Sequence, residues 1–120
     1  MRGFTLIEVL VALAMVGVAL LAAVRAAGSM AQTNAELRLR LLAQIAADNR
    51  IAELRSAGAF PALGARTSAC PQGRTPLHCV EEVKSTPNPL FRCVEVRVYA
   101  TAQSGDHMLA ELVGILPRRP

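Results

Sequence analysis

Apolar positions are unevenly spread along the chain. Residues 4–24 form a run of 21 in which only Thr5 and Glu8 are clearly polar. At a helical rise of about 1.5 Å per residue the run spans roughly 31 Å, close to the ~30 Å hydrocarbon thickness of a bilayer. The pattern predicts one membrane-spanning helix. From Ala26 to Arg55 there is no proline and the chain is rich in Ala, Leu, Arg, Gln and Glu, all good helix formers, so the helix is expected to continue. Gly28, just past the apolar run, is the expected point of bending. Leu37, Leu41, Leu42, Ile45 and Ala52 share one helical face, with Arg38 and Asn49 intruding and Leu39, Ile51 and Leu54 lying off it. That stripe is expected to pack against the rest of the chain. Gly58 and Pro61 then stop the helix.

Beyond it the period changes. Residues 61–76 are rich in Gly, Pro and Ala without clear periodicity, which predicts a loop with room for one short extended piece. Residues 77–84 read as a strand, Ser85-Thr86-Pro87-Asn88-Pro89 as a turn, and residues 91–101 as a second strand. In that strand Val94, Val96 and Val98 alternate with Glu95 and Arg97, the period of a half-buried strand. Ser104-Gly105-Asp106 predicts another turn and residues 108–116 a third strand. The expected fold class is α+β, a long N-terminal helix laid on three short antiparallel strands. Its segments are 4–24 in the membrane, 25–57 continuing the helix, and 58–120 forming the small sheet domain.

Composition adjusts this picture in three places. Hydrophobic residues make up 52% of the chain, but aromatics only 3%, with no Trp. A small domain with so few large side chains is expected to rely on Val, Leu and Ile and on a disulfide. The net charge of +4 does not form a patch: Arg and Lys are scattered and not interleaved with aromatics. Nucleic acid is therefore not expected as a partner, and lipid head groups are the expected anionic neighbour. His78 and His107 stand near turns without a matched nucleophile, and there is no Gly-rich phosphate loop and no paired metal-ligand set, so no enzyme activity, metal or cofactor is expected. Cys70, Cys79 and Cys93 lack C-x-x-C spacing. One disulfide and one leftover thiol is the simplest account in an exported domain. Cys79 and Cys93 lie at equal distances either side of Thr86, as cross-strand partners about a turn would, which favours that bridge; Cys70 to Cys79 and Cys70 to Cys93 stay open.

Glu8 is the most informative residue of the apolar run. An ionisable group at the centre of a spanning helix costs on the order of 2.5–3.5 kcal/mol. Glu8 either snorkels to the near interface, one turn away, or meets a cation from another molecule within an assembly. It also weighs against reading the run as a secretory signal peptide. So do the length of the run and Arg25, which falls where a neutral cleavage region would be expected.

The sequence Arg2-Gly3-Phe4-Thr5-Leu6-Ile7-Glu8, followed without a break by the apolar run, resembles the class III signal of type IV pilins and type II secretion pseudopilins. The resemblance implies that a prepilin peptidase cuts between Gly3 and Phe4, releasing residues 1–3 as a leader, and that the new amine of Phe4 is N-methylated. It implies a single pass in the bacterial inner membrane, N terminus cytoplasmic and C-terminal domain periplasmic. It also supplies Glu8 with a partner, the α-amino group of Phe4 in an adjoining subunit, which would set the register of one helix against the next. Residues 46–55, Thr86-Pro87-Asn88-Pro89 and Val94-Glu95-Val96-Arg97-Val98 are similar to the minor pseudopilin I family of type II secretion. That similarity implies the pseudopilin fold and a structural subunit that joins minor pseudopilins J and K, with H, at a pseudopilus tip. There it would prime assembly of the major pseudopilin G for export of folded proteins. A minor pilin of a type IV pilus, serving adhesion, motility or DNA uptake, is the alternative. A secreted binding domain released by a conventional signal peptidase is a third reading.

Overall fold

A computed structural model describes residues 3–101 and 107–119. The expected turn at Ser104-Gly105-Asp106 lies outside the described residues. The chain divides into two compact units, Met1–Leu37 and Arg38–Pro120.

One helix, α1 (Leu6–Ser56), supplies all the regular structure of the first unit and begins the second. It starts at Thr5, whose Oγ1 accepts from Glu8 N at 3.2 Å while its carbonyl accepts from Val9 N at 3.2 Å. Thr5 thus satisfies a donor that a helix start leaves unpaired. The helical hydrogen bonding continues through Gly17 and Gly28. At the far end Gly58 adopts φ 64°, Gly58 N donates to Arg55 O at 3.1 Å and Ala59 N donates to Leu54 O at 3.0 Å. This paired 5→2 and 6→1 closure needs a left-handed residue, and glycine takes that conformation without a Cβ clash.

The second unit carries four strands: β1 (Gly64–Ala69), β2 (Leu77–Ser85), β3 (Phe91–Ala100) and β4 (Met108–Pro117). They form one antiparallel sheet in the order β1-β2-β3-β4. The count is four where the sequence predicted three. The short extended piece expected within residues 61–76 is β1, paired from Gly64↔Val83 to Ala69↔His78. Every residue of β1 is exposed, so backbone pairing holds it rather than burial, and no apolar alternation marks it.

The inner face of β3 alternates as its sequence predicts, and β2 alternates with it. Leu77, Cys79, Glu81 and Val83 on β2, and Val94, Val96, Val98 and Ala100 on β3, point inward. On β4 a register shift at Val98/Tyr99 leaves Leu109 without an opposite residue, so Leu109 and Ala110 are buried consecutively.

The helical face that meets this sheet is not the expected one. Buried on α1 are Ala43, Ala46, Ala47, Ile51 and Leu54, with Leu39 and Leu42 half-buried. Leu37, Leu41 and Ile45 are instead 60%, 60% and 40% exposed, and Ala52 is exposed. A sheet face already filled by Val and Leu leaves room for a helix backbone only where its side chains are small. Three alanines therefore provide the seat, with Ile51 and Leu54 beyond them; of the expected stripe only Leu42 packs against the core, and Leu37, Leu41 and Ile45 turn away.

Candidate functional site

Two regions carry the candidate residues. In the first unit every described residue from Gly3 to Leu37 is exposed, and the 18-residue window that qualifies α1 as a candidate membrane span has none of its residues buried. Phe4, 83% exposed, precedes the helix; Glu8 lies in its first turn. Thr5-x-x-Glu8 is the spacing of a capping box, a local signal that the sequence reading passed over. The acidic side chain also sits where the positive end of the helix macrodipole favours it. Cap and dipole account for a carboxylate near a helix start. They do not supply a cation, and no ion pair to Glu8 occurs among the described residues.

In the second unit the cysteines correct the expected bridge. Cys70 is bonded to Cys79, with Cα atoms 5.8 Å apart, and Cys93 is free. The Cys79 to Cys93 bridge assumed a hairpin centred on Thr86. The observed register pairs Ser85 with Arg92, so the hairpin is centred between Asn88 and Pro89; Cys79 stands opposite Val98 and Cys93 opposite Lys84. The two also point to opposite faces, Cys79 fully buried inward and Cys93 half-buried outward. Cys70, by contrast, follows β1 directly, and its N donates to Leu77 O at 3.0 Å, which brings it beside the start of β2.

Beneath the helix, Glu81 is the one charged residue among the described buried set, at 3% exposure. Arg50 Nε donates to its Oε1, Arg50 Nη2 to its Oε2 at 3.4 Å, and Arg50 Nη1 to Glu53 Oε2 at 3.1 Å. The hydrogen bond to Glu81, first, and that to Glu53 hold the Arg50 guanidinium above its ordinary pKa against the opposing effect of burial. A carboxylate on the inner face of β2 is tolerable only with such a fork, which ties α1 to the sheet at one rotational setting.

The opposite face of the sheet is a lattice of charge. Lys84 Nζ lies 3.0 Å from Glu95 and 3.9 Å from Glu82, and Arg97 lies 2.8 Å from Glu82 and 3.9 Å from Glu95. A hydrogen bond between Glu95 and Glu111 pulls the Glu95 carboxyl below its ordinary range and pushes that of Glu111 above it; Lys84 adds to the lowering of Glu95. The hydrogen bond that Lys84 Nζ donates to Glu95 raises Lys84 in turn. His78 stacks on Tyr99 at 5.4 Å on this face.

The arrangement holds surfaces for association: an exposed apolar helix with one carboxylate, an exposed leucine edge on α1, and a rigid sheet carrying charge. Residues 37–117, more than half of the chain, match the family model of type II secretion system (T2SS) protein I. Residues 1–24 match the prokaryotic N-terminal methylation motif. No curated protein matches the chain.

Proposed function

The chain belongs to the type II secretion system protein I family, and we propose that this minor pseudopilin joins a pseudopilus tip complex and primes filament assembly for export of folded proteins. Its role is structural rather than catalytic. The observation that carries the reading is the pairing, in one chain, of an N-terminal methylation motif over residues 1–24 with an apolar helix that buries nothing in the monomer and still holds Glu8. Such a helix gains from lipid and from like helices, and Glu8 gains from a cation that no other described residue supplies.

In this reading a prepilin peptidase cuts between Gly3 and Phe4, Phe4 is N-methylated, and its amine meets Glu8 of an adjoining subunit. The N terminus faces the cytoplasm and the second unit the periplasm. The Cys70–Cys79 disulfide supports that orientation, since such bonds persist in oxidising compartments. The partners are the minor pseudopilins J, K and H and the major pseudopilin G.

Mass spectrometry of the membrane-extracted protein tests the processing: a methylated Phe4 N terminus is expected, and a start near Ala27 would exclude the reading. Glu8→Leu is expected to leave membrane insertion intact, because the cap at Thr5 uses the Glu8 backbone N–H, and to weaken co-purification with the other pseudopilins. Unchanged co-purification would remove Glu8 from assembly.

A further inference from the structure

The end of the second unit at which α1 stops carries a cluster of guanidinium groups that the fold does not use up. Arg55 lies in the last turn of α1, and Arg119 Nη2 donates to its carbonyl at 3.3 Å. Arg92 sits 4.0 Å and Arg118 5.5 Å from the centroid of the Phe60 ring. Arg92 is further fixed by Nη1 donation to Pro61 O and, at 3.4 Å, to Phe60 O. The Arg118 backbone N donates to Leu90 O at 2.7 Å. Between Arg55 and Arg119 opens a cavity of about 250 Å³ whose other walls are Leu54, Gly58, Ala59, Leu116 and Pro117.

Among the described residues, little negative charge faces this pole. Each ion pair of the second unit described above engages Arg50, Lys84 or Arg97, and among the described residues no carboxylate is paired with Arg55, Arg92, Arg118 or Arg119. The carboxyl end of a helix offers an equivalent of about −0.5 elementary charge, far less than four guanidiniums carry. Carbonyls and an aromatic face orient these groups without neutralising them. Like charges held together in advance lower the ordering cost of binding an anion.

We propose that this arginine pole is a docking site for an acidic face of a neighbouring pseudopilin, one Asp or Glu side chain entering the cavity between Arg55 and Arg119. The cavity favours a protein carboxylate over a bare anion: Leu54, Ala59, Leu116 and Pro117 in its lining suit a methylene stem, while the arginines that also line it suit the carboxylate oxygens. The assignment rests on the subunit reading given above and adds the chemistry of one contact.

The test uses the full chain, co-expressed with the other pseudopilins of the machine and reconstituted in phosphatidylcholine nanodiscs. Combined Arg55→Glu, Arg118→Glu and Arg119→Glu is expected to weaken association at least tenfold at low salt, with the gap closing as salt screens the contact. Arg118→Glu with Arg119→Glu alone, beyond the end of β4, is expected to act in the same direction with an unchanged unfolding midpoint. Arg118→Lys with Arg119→Lys is expected to retain association and to give zero-length carbodiimide cross-links mapping to Asp or Glu of another pseudopilin. Wild-type association combined with undiminished association of the charge-reversed chains would overturn the site while leaving the subunit reading intact. A defect appearing only when phosphatidylglycerol is included would assign the pole to lipid and likewise overturn it. Failure of the wild-type chain to associate with any pseudopilin would overturn the subunit reading and the site with it.

Discussion

Replacing Cys70 by alanine removes the only covalent cross-link among the described residues, and the structure sets the size of the effect. The bond joins residues separated by 9 in sequence. A closed loop of that length corresponds to about 2.6 kcal/mol of unfolded-state entropy in the chain-entropy model. The native state loses little beyond this, since Cys70 packs only on the margin of the core and β1 keeps its pairing with β2. With a urea dependence of about 1–2 kcal/mol per molar for a small domain, the midpoint should fall by roughly 1.3–2.6 M. The chain has one Tyr and no Trp. Emission from Tyr99, on β3, therefore follows unfolding of the sheet in the detergent-solubilised full chain. Cys93→Ala is the control and should move the midpoint much less, because Cys93 is free. A large loss in Cys93→Ala with little change in Cys70→Ala would refute the observed pairing. Equal small effects in both would refute the loop-entropy argument.

Two further outcomes are expected. A Cβ at Gly114 would lie 3.0 Å from both Cδ1 and Cγ2 of Ile51, so Gly114→Ala should destabilise by about 1–3 kcal/mol through overpacking, less the few tenths to ~1 kcal/mol that alanine gains by restricting the unfolded chain. The same change in an Ile51→Ala background should cost less, and strict additivity in urea titrations of the four proteins would contradict the contact. The Glu95–Glu111 pair predicts a pH dependence. The Glu111 carboxyl is raised above 4.5 in the fold by its hydrogen bond to Glu95, so its contribution to stability is present below that value and is lost as pH rises through the raised one. Glu95 is lowered by Glu111 and Lys84, so its contribution is present above 4.5 and is lost as pH falls through the lowered value. Glu111→Gln should accordingly raise the urea midpoint at pH 7 and lose that advantage as pH falls toward and below 4.5. A difference constant with pH would count against the shared proton.

Legibility of the candidate site followed how local each feature is. Thr5, Glu8 and the apolar run are set by neighbours a few residues away; the run and Glu8 indicated a span and a stranded charge, and the capping-box spacing of Thr5 and Glu8 was equally local though unused. The arginine pole was not legible, because Arg119 reaches Arg55, and Arg92 and Arg118 share the Phe60 ring, only when β3 and β4 return beside the end of α1. Scattered basic residues then become a cluster.

The same division runs through the fold. The helix, its stop at Gly58 and the alternation of Val94, Val96 and Val98 were readable from residue order, since helix closure and strand period are written in short-range residue preferences. Tertiary structure alone decided which face of α1 meets the sheet, whether residues 64–69 become a strand, and which cysteines bond. A 3.6-residue period marks two opposite stripes on α1, and only the depth of the valine-filled sheet selects Ala43, Ala46 and Ala47 over Leu37, Leu41 and Ile45. Strand β1 has no buried side chain and exists because β2 offers it an edge. Disulfide choice depends on hairpin register, and a shift of the centre from Thr86 to the Asn88–Pro89 step is enough to exchange Cys93 for Cys70.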